Sequence, residues 1–83
     1  MKAVFSQFAF KQFSKLEKEA QKRIAEKLEF YLSQKDPLKF SEKLSDSKFG
    51  DRRFRIGNHR ILFDVDGSNI NILKIGDRKD IYK

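Results

Sequence analysis

The 83-residue chain has no cysteine and no tryptophan, and only one histidine, one proline and one methionine. Without cysteine, neither a disulfide nor a thiolate metal site can hold the fold, which suits a reducing compartment. A single histidine and no thiol exclude zinc hydrolysis and Cys–His nucleophilic catalysis, since both need partners the chain lacks. The four glycines form no phosphate-cradling motif. No apolar run approaches the ~20 residues of a membrane span. The apolar start MKAVFSQFAF is broken by Ser6, Gln7 and Lys11 before a signal-peptide core can form. Internal repeats and low-complexity segments are absent as well. What remains is a single small domain over residues 1–83, expected to be soluble and cytoplasmic, with no membrane partner.

The chain does carry positive charge. Its formal net charge is +7 and its pI about 9.8, which points to an acidic partner such as nucleic acid or an acidic protein. Nine phenylalanines among 39% hydrophobic residues indicate a core of phenylalanine and aliphatics.

Read in order, Lys2–Phe5 has the pattern of a short strand. Ser6 is suited to cap the helix that follows, in which Ala9, Phe13 and Leu16 recur at helical spacing. Glu17–Glu19 carry a bend into a second helix, Lys18 to about Gln34, with Ala20, Ile24, Leu28 and Leu32 at four-residue steps and Tyr31 beside them. Asp36-Pro37 ends it, because proline disfavours helical geometry in the residue before it. The stretch from Leu38 to Phe49 shows little periodicity, and Phe40, Leu44 and Phe49 are its expected anchors to the core.

Residues 52–82, RRFRIGNHRILFDVDGSNINILKIGDRKDIY, read as three strands, two tight turns and a short charged tail. Gly57-Asn58 is a two-residue hairpin signal. It pairs Ile56 with His59, Arg55 with Arg60, Phe54 with Ile61 and Arg53 with Leu62. Alternation then puts Phe54, Ile56, Ile61, Phe63 and Val65 on one face and Arg53, Arg55 and Arg60 on the other. The second turn lies in Asp66-Gly67-Ser68-Asn69; Ile70 and Ile72 continue the core face, and Asn71, Leu73 and Ile75 join the arginines. The expected architecture is α+β, ordered β-α-α-β-β-β, with a helical hairpin on one face of a mainly antiparallel sheet and the other face open.

Like charges directly opposite one another destabilise a ribbon, so three arginines on one face suggest a polyanion ligand. The Asp64–Asn69 stretch has the wrong glycine position and no closing glutamate for a calcium loop, and reads as a turn. His59, beside the first turn, is suited to stacking or surface contact. Clustered arginines could neutralise a phosphorane, and they would lower the pKa of a nearby tyrosine such as Tyr82. Arg53, Arg55, Arg60, Arg78 and Tyr82 therefore fit a metal-free RNA-cleaving site, and they fit a simple binding patch equally well. Spacing alone leaves the two open.

The run FRIGNHRILFDVDGSNINILKIGDRKDIYK resembles the end of RelE/ParE-type toxins of toxin–antitoxin modules, with their glycine turn, Arg-led strand and Gly-x-Arg-Lys-Asp-x-Tyr ending. The upstream strand and helices also fit. The resemblance implies a ribosome-dependent endoribonuclease that cuts messenger RNA in the ribosomal A site and so inhibits translation, with neither metal nor cofactor. By position, Arg60 would hold the scissile phosphate, Arg78 would stabilise the transition state or donate a proton, and Tyr82 would stack on or activate the nucleotide. Arg53 and Arg55 match basic residues that bind RNA and ribosome, and His59 stands beside them where a tyrosine is usual. The implied partners are an acidic antitoxin, in a toxin–antitoxin hetero-oligomer, and messenger RNA on the ribosome. The antitoxin is expected to cover the basic face directly, its apolar residues meeting Leu62, Leu73 and Ile75 or the helix groove. Arg78 and Tyr82 are expected to be dispensable for the core. The alternative is the ParE branch, which shares the fold but poisons DNA gyrase and is not a nuclease.

Overall fold

Ser6 ends the first strand and starts the first helix. Its side chain accepts the Ala9 N–H at 3.0 Å, satisfying an amide that the helix leaves without a partner. The computed structural model describes residues 1–45, 48 and 50–81. Along the chain come β1 (Lys2–Phe5), α1 (Gln7–Ser14), α2 (Lys18–Ser33), a 3-10 turn (Pro37–Phe40), β2 (Glu42–Lys43), β3 (Arg52–Ile56), β4 (His59–Asp66) and β5 (Asn69–Asp77). Gln21 ties the corner between the helices, its amide donating to the carbonyls of Ser14 (3.3 Å) and Leu16 (3.0 Å). Pro37 opens the 3-10 turn, where its missing N–H costs nothing. The stretch after Pro37 is more ordered than its pattern suggests, since it also contributes β2; Phe49 lies outside the described residues.

Among the described residues the strands form one mixed sheet in the order β1-β5-β4-β3-β2, with β1 parallel to β5 and the other neighbours antiparallel. The β3–β4 register is the expected one, from Ile56 opposite His59 to Arg53 opposite Leu62. Gly57 turns the corner at φ +61°, a conformation open to glycine at little cost.

The β4–β5 register departs from simple alternation. Ile61 faces Ile75 and Leu62 faces Lys74, but Phe63 faces Ile72, so Leu73 is an extra residue in β5. This bulge reverses the faces beyond it. Ile75 therefore joins the core, 1% exposed, and does not stand with the arginines as alternation predicts; Lys74 does. α1 and its capping residue Ser6 satisfy the polar groups of the bulged edge. Ile75 N–H donates to Gln12 Oε1 (2.7 Å), Ser6 Oγ to the Leu73 carbonyl (3.4 Å), and Ser6 N–H to the Ile72 carbonyl (2.9 Å).

The helices cover one face. Ala9, Ile24 and Leu28 pack there against Phe54, Ile56, Ile61, Phe63, Ile70, Ile72 and Ile75. A column of stacked rings runs outward from this core, with centroids 4.6 Å apart for Phe63–Phe54, 4.9 Å for Phe54–Tyr31 and 5.0 Å for Tyr31–Phe40. Val65, at the far end of β4, is exposed instead of completing the core face. No helix among the described residues is long and apolar enough to cross a membrane.

Candidate functional site

The face of the sheet away from the helices is built in cross-strand rows. One row runs Glu42, Arg53, Leu62, Lys74 across β2, β3, β4 and β5. The next, toward the Gly57 turn, runs Arg55, Arg60, Gly76. In the other direction Asp64 faces Asn71, and Asp64 Oδ1 accepts the Asp51 N–H at 2.8 Å. The face is thus basic at its turn end and acidic or amide-bearing at the other, where Asp64–Asn69 forms the expected hairpin turn.

The face is not open, contrary to the alternation pattern. Leu62 is fully buried and Lys74 is 7% exposed. The segment after β5 is not a loose tail either. Arg78 N–H donates to the Asn58 carbonyl (2.9 Å), and the N–H groups of Asp80 and Ile81 donate to the Asp77 carbonyl. This turn carries Ile81, 1% exposed, back over the sheet. Its Cδ1 lies 3.2 Å from where a Cβ on Gly76 would sit, and Gly76 is opposite Arg60. Gly76 thus makes room for the returning segment, which belongs to the fold.

Arg53, Arg55 and Arg60 do share this face, as the sequence predicts. Arg60 is 8% exposed, and its Nη1 donates to the carbonyls of Gly57 (3.2 Å) and His59 (3.1 Å). The guanidinium is thereby fixed to the hairpin turn. Arg78 is exposed and joined to the same turn through its backbone. His59 does not accompany them. Its register with Ile56 puts it on the helix-covered side of β4, at the strand's end. Tyr82 lies outside the described residues.

Glu42 is a site residue that sequence reasoning missed. Its Oε2 meets Arg53 Nη2 and its Oε1 meets Arg55 Nε, each at 2.9 Å. The hydrogen bond from Arg53 is the main cause that holds the Glu42 carboxyl below its ordinary range; partial desolvation opposes it, and the charges of Arg53, Arg55 and Arg60 assist it. Little in the sequence marks Glu42, because a two-residue edge strand shows no periodicity. Lys74 was missed as well, because the extra residue in β5 breaks the alternation that would have put it on the core face.

A strand, a helical hairpin and a mixed five-stranded sheet in this arrangement make an α+β fold of the RelE type. The chain is similar to the crystal structure of the toxin–antitoxin complex RelBE2 from Mycobacterium tuberculosis, with a TM-score of 0.79 and 24% identity over 93% of this chain and 96% of that one. Residues 4–82 match the family described as ParE toxin of type II toxin–antitoxin system, parDE. The chain belongs to that family, and so to the RelE/ParE superfamily of toxins. A search of curated proteins finds no significant match.

Proposed function

We propose that this toxin is a metal-independent endoribonuclease that cuts messenger RNA on the ribosome. The observation that carries the reading is the convergence of Arg53, Arg55 and Arg60 on one face, with Arg78 joined to the turn at its end. Cleavage by the neighbouring 2′-hydroxyl builds charge on the phosphorane. A guanidinium already fixed in place, as Arg60 is by the turn carbonyls, stabilises that charge without reorganising during the reaction. Arg53 and Arg55 hold the RNA backbone, Arg78 stabilises the transition state from the exposed end, and Tyr82 supplies a ring or a proton acceptor. His59, on the other side of β4, is left out.

The partner is an acidic antitoxin, in keeping with the likeness to a toxin–antitoxin complex. Burial of Leu62 and Ile75 leaves the apolar groove beside Phe5, Phe10, Phe13 and Leu32 for its apolar residues, while its carboxylates meet the arginines.

The family match supports a second reading, in which the toxin acts on DNA gyrase and cleaves no RNA. Programmed ribosomes and a gyrase supercoiling assay, run with the same protein, separate the two. Under the nuclease reading message is cut, and Arg78→Ala slows cleavage by roughly 10²–10³-fold with a much smaller loss of ribosome binding. Intact message together with inhibited supercoiling overturns it.

A further inference from the structure

Glu42 sits on the edge strand β2, and each of its carboxylate oxygens is taken by a different arginine. Two guanidinium groups sharing the two oxygens of one anion could receive the non-bridging oxygens of a phosphodiester in the same way, because the planar guanidinium fork matches carboxylate and phosphate alike. The position that a phosphate would take is therefore occupied by the protein's own carboxylate.

That carboxylate can be displaced. The side chain of Glu42 is 46% exposed and that of Arg55 57% exposed, against 19% for Arg53; the outer Glu42–Arg55 pair, so open to water, contributes little net stability. β2 has two residues, both exposed. It is held by their pairing with Arg53 and Arg52 and by the hydrogen bond from Leu44 N–H to the Asp51 carbonyl (2.8 Å). The strand can stay paired while the glutamate side chain swings away.

We propose that Arg53 and Arg55 form an oxyanion-binding fork in which Glu42 is the resident competitor, displaced when RNA phosphate engages the face. The proposal rests on the reading of this face as an RNA-binding surface. A competitor of this kind serves selectivity. A lone phosphate must displace Glu42 for two contacts, whereas an RNA strand also gains Arg60 and Arg78 and outcompetes the carboxylate. The free fork is thereby shielded from small anions.

The test compares Glu42→Gln with Glu26→Gln, which removes the same charge from α2, where Glu26 pairs with Lys22 at 4.0 Å. Inorganic pyrophosphate is titrated against the full chain by NMR of the arginine Nε–H resonances, and a single-stranded oligoribonucleotide by fluorescence anisotropy. Glu42→Gln should bind pyrophosphate about 3- to 10-fold more tightly, with less than about a 2-fold change for Glu26→Gln, as expected for relief of a local exposed pair. Adding Arg55→Ala should abolish the gain, and the oligoribonucleotide should follow the same order. Unchanged or weaker pyrophosphate binding in Glu42→Gln, or an equal gain in Glu26→Gln, overturns the proposal and makes Glu42 an organiser of the arginines. If pyrophosphate shows the gain but no variant binds the oligoribonucleotide, the fork stands and the RNA reading falls. If Arg55→Ala abolishes oligoribonucleotide binding while Glu42→Gln alters neither probe, the RNA reading stands and the competitor falls.

Discussion

The two faces of the sheet are held by different physics. On the helix side, aromatic and branched residues interdigitate, and stability comes from area removed from water and from close packing. On the arginine side, a single row alternates acid, base, leucine and base, Glu42–Arg53–Leu62–Lys74, and a returning C-terminal turn closes over Gly76. The first face can be read as a core from composition alone. The second is a thin apolar layer beneath charges, and it carries the candidate function because Arg53, Arg55 and Arg60 gather there.

The contrast can be broken by mutation, beginning with the largest expected effect. Phe54→Ala removes a ring stacked on both Tyr31 and Phe63 and should cost about 3–5 kcal/mol by urea denaturation. Leu62→Ala tests whether the arginine face has a core of its own, and should cost about 2–4 kcal/mol. A loss below about 0.5 kcal/mol, as at ordinary surface positions, would mean that the layer there is not sealed. Gln12→Ala leaves the Ile75 N–H without its 2.7 Å acceptor and should cost about 1–3 kcal/mol.

The smallest effect concerns pH. The folded protein holds the Glu42 carboxyl below its ordinary range, so its contribution is fully present above that range and is lost as pH falls through the depressed value. Wild type and Glu42→Gln should therefore differ most near neutrality and converge in acid, measured as unfolding midpoints across the acid range. A constant difference down to the lowest pH would show that the ion pairs are not the cause.

Much of this architecture was legible because it is encoded locally. Gly57-Asn58 and Asp66–Asn69 set the turns, Ser6 sets a helix start, and the β3–β4 register follows from turn length alone. The bulge was not legible by alternation, since one extra residue at Leu73 exchanges Ile75 for Lys74. The cause lies far away in sequence, in Ser6 at the cap of α1 and Gln12 within it, which satisfy the bulged backbone. The arginine set was legible because strand alternation is strict before the bulge. His59 was grouped with the arginines by the resemblance, whereas its register opposite Ile56 puts it on the other face of β4. Glu42 and Ile81 escaped notice because each reaches the site from a short element with no periodicity.

The parallel pairing of β1 with β5 has a consequence for the order of folding. β3, β4 and β5 are joined by two-residue turns and can assemble from local contacts. β1 must close a much longer loop, since Ser6 and Leu73 meet across 67 positions of sequence, and loop closure grows costlier with length. The meander should therefore form first, with β1 and α1 docking last. Until then the outer edge of β5 is a row of open hydrogen-bonding groups, the kind of edge on which chains aggregate. In the short interval before it closes on its own N-terminal strand, the protein is most vulnerable to sticking to other copies of itself.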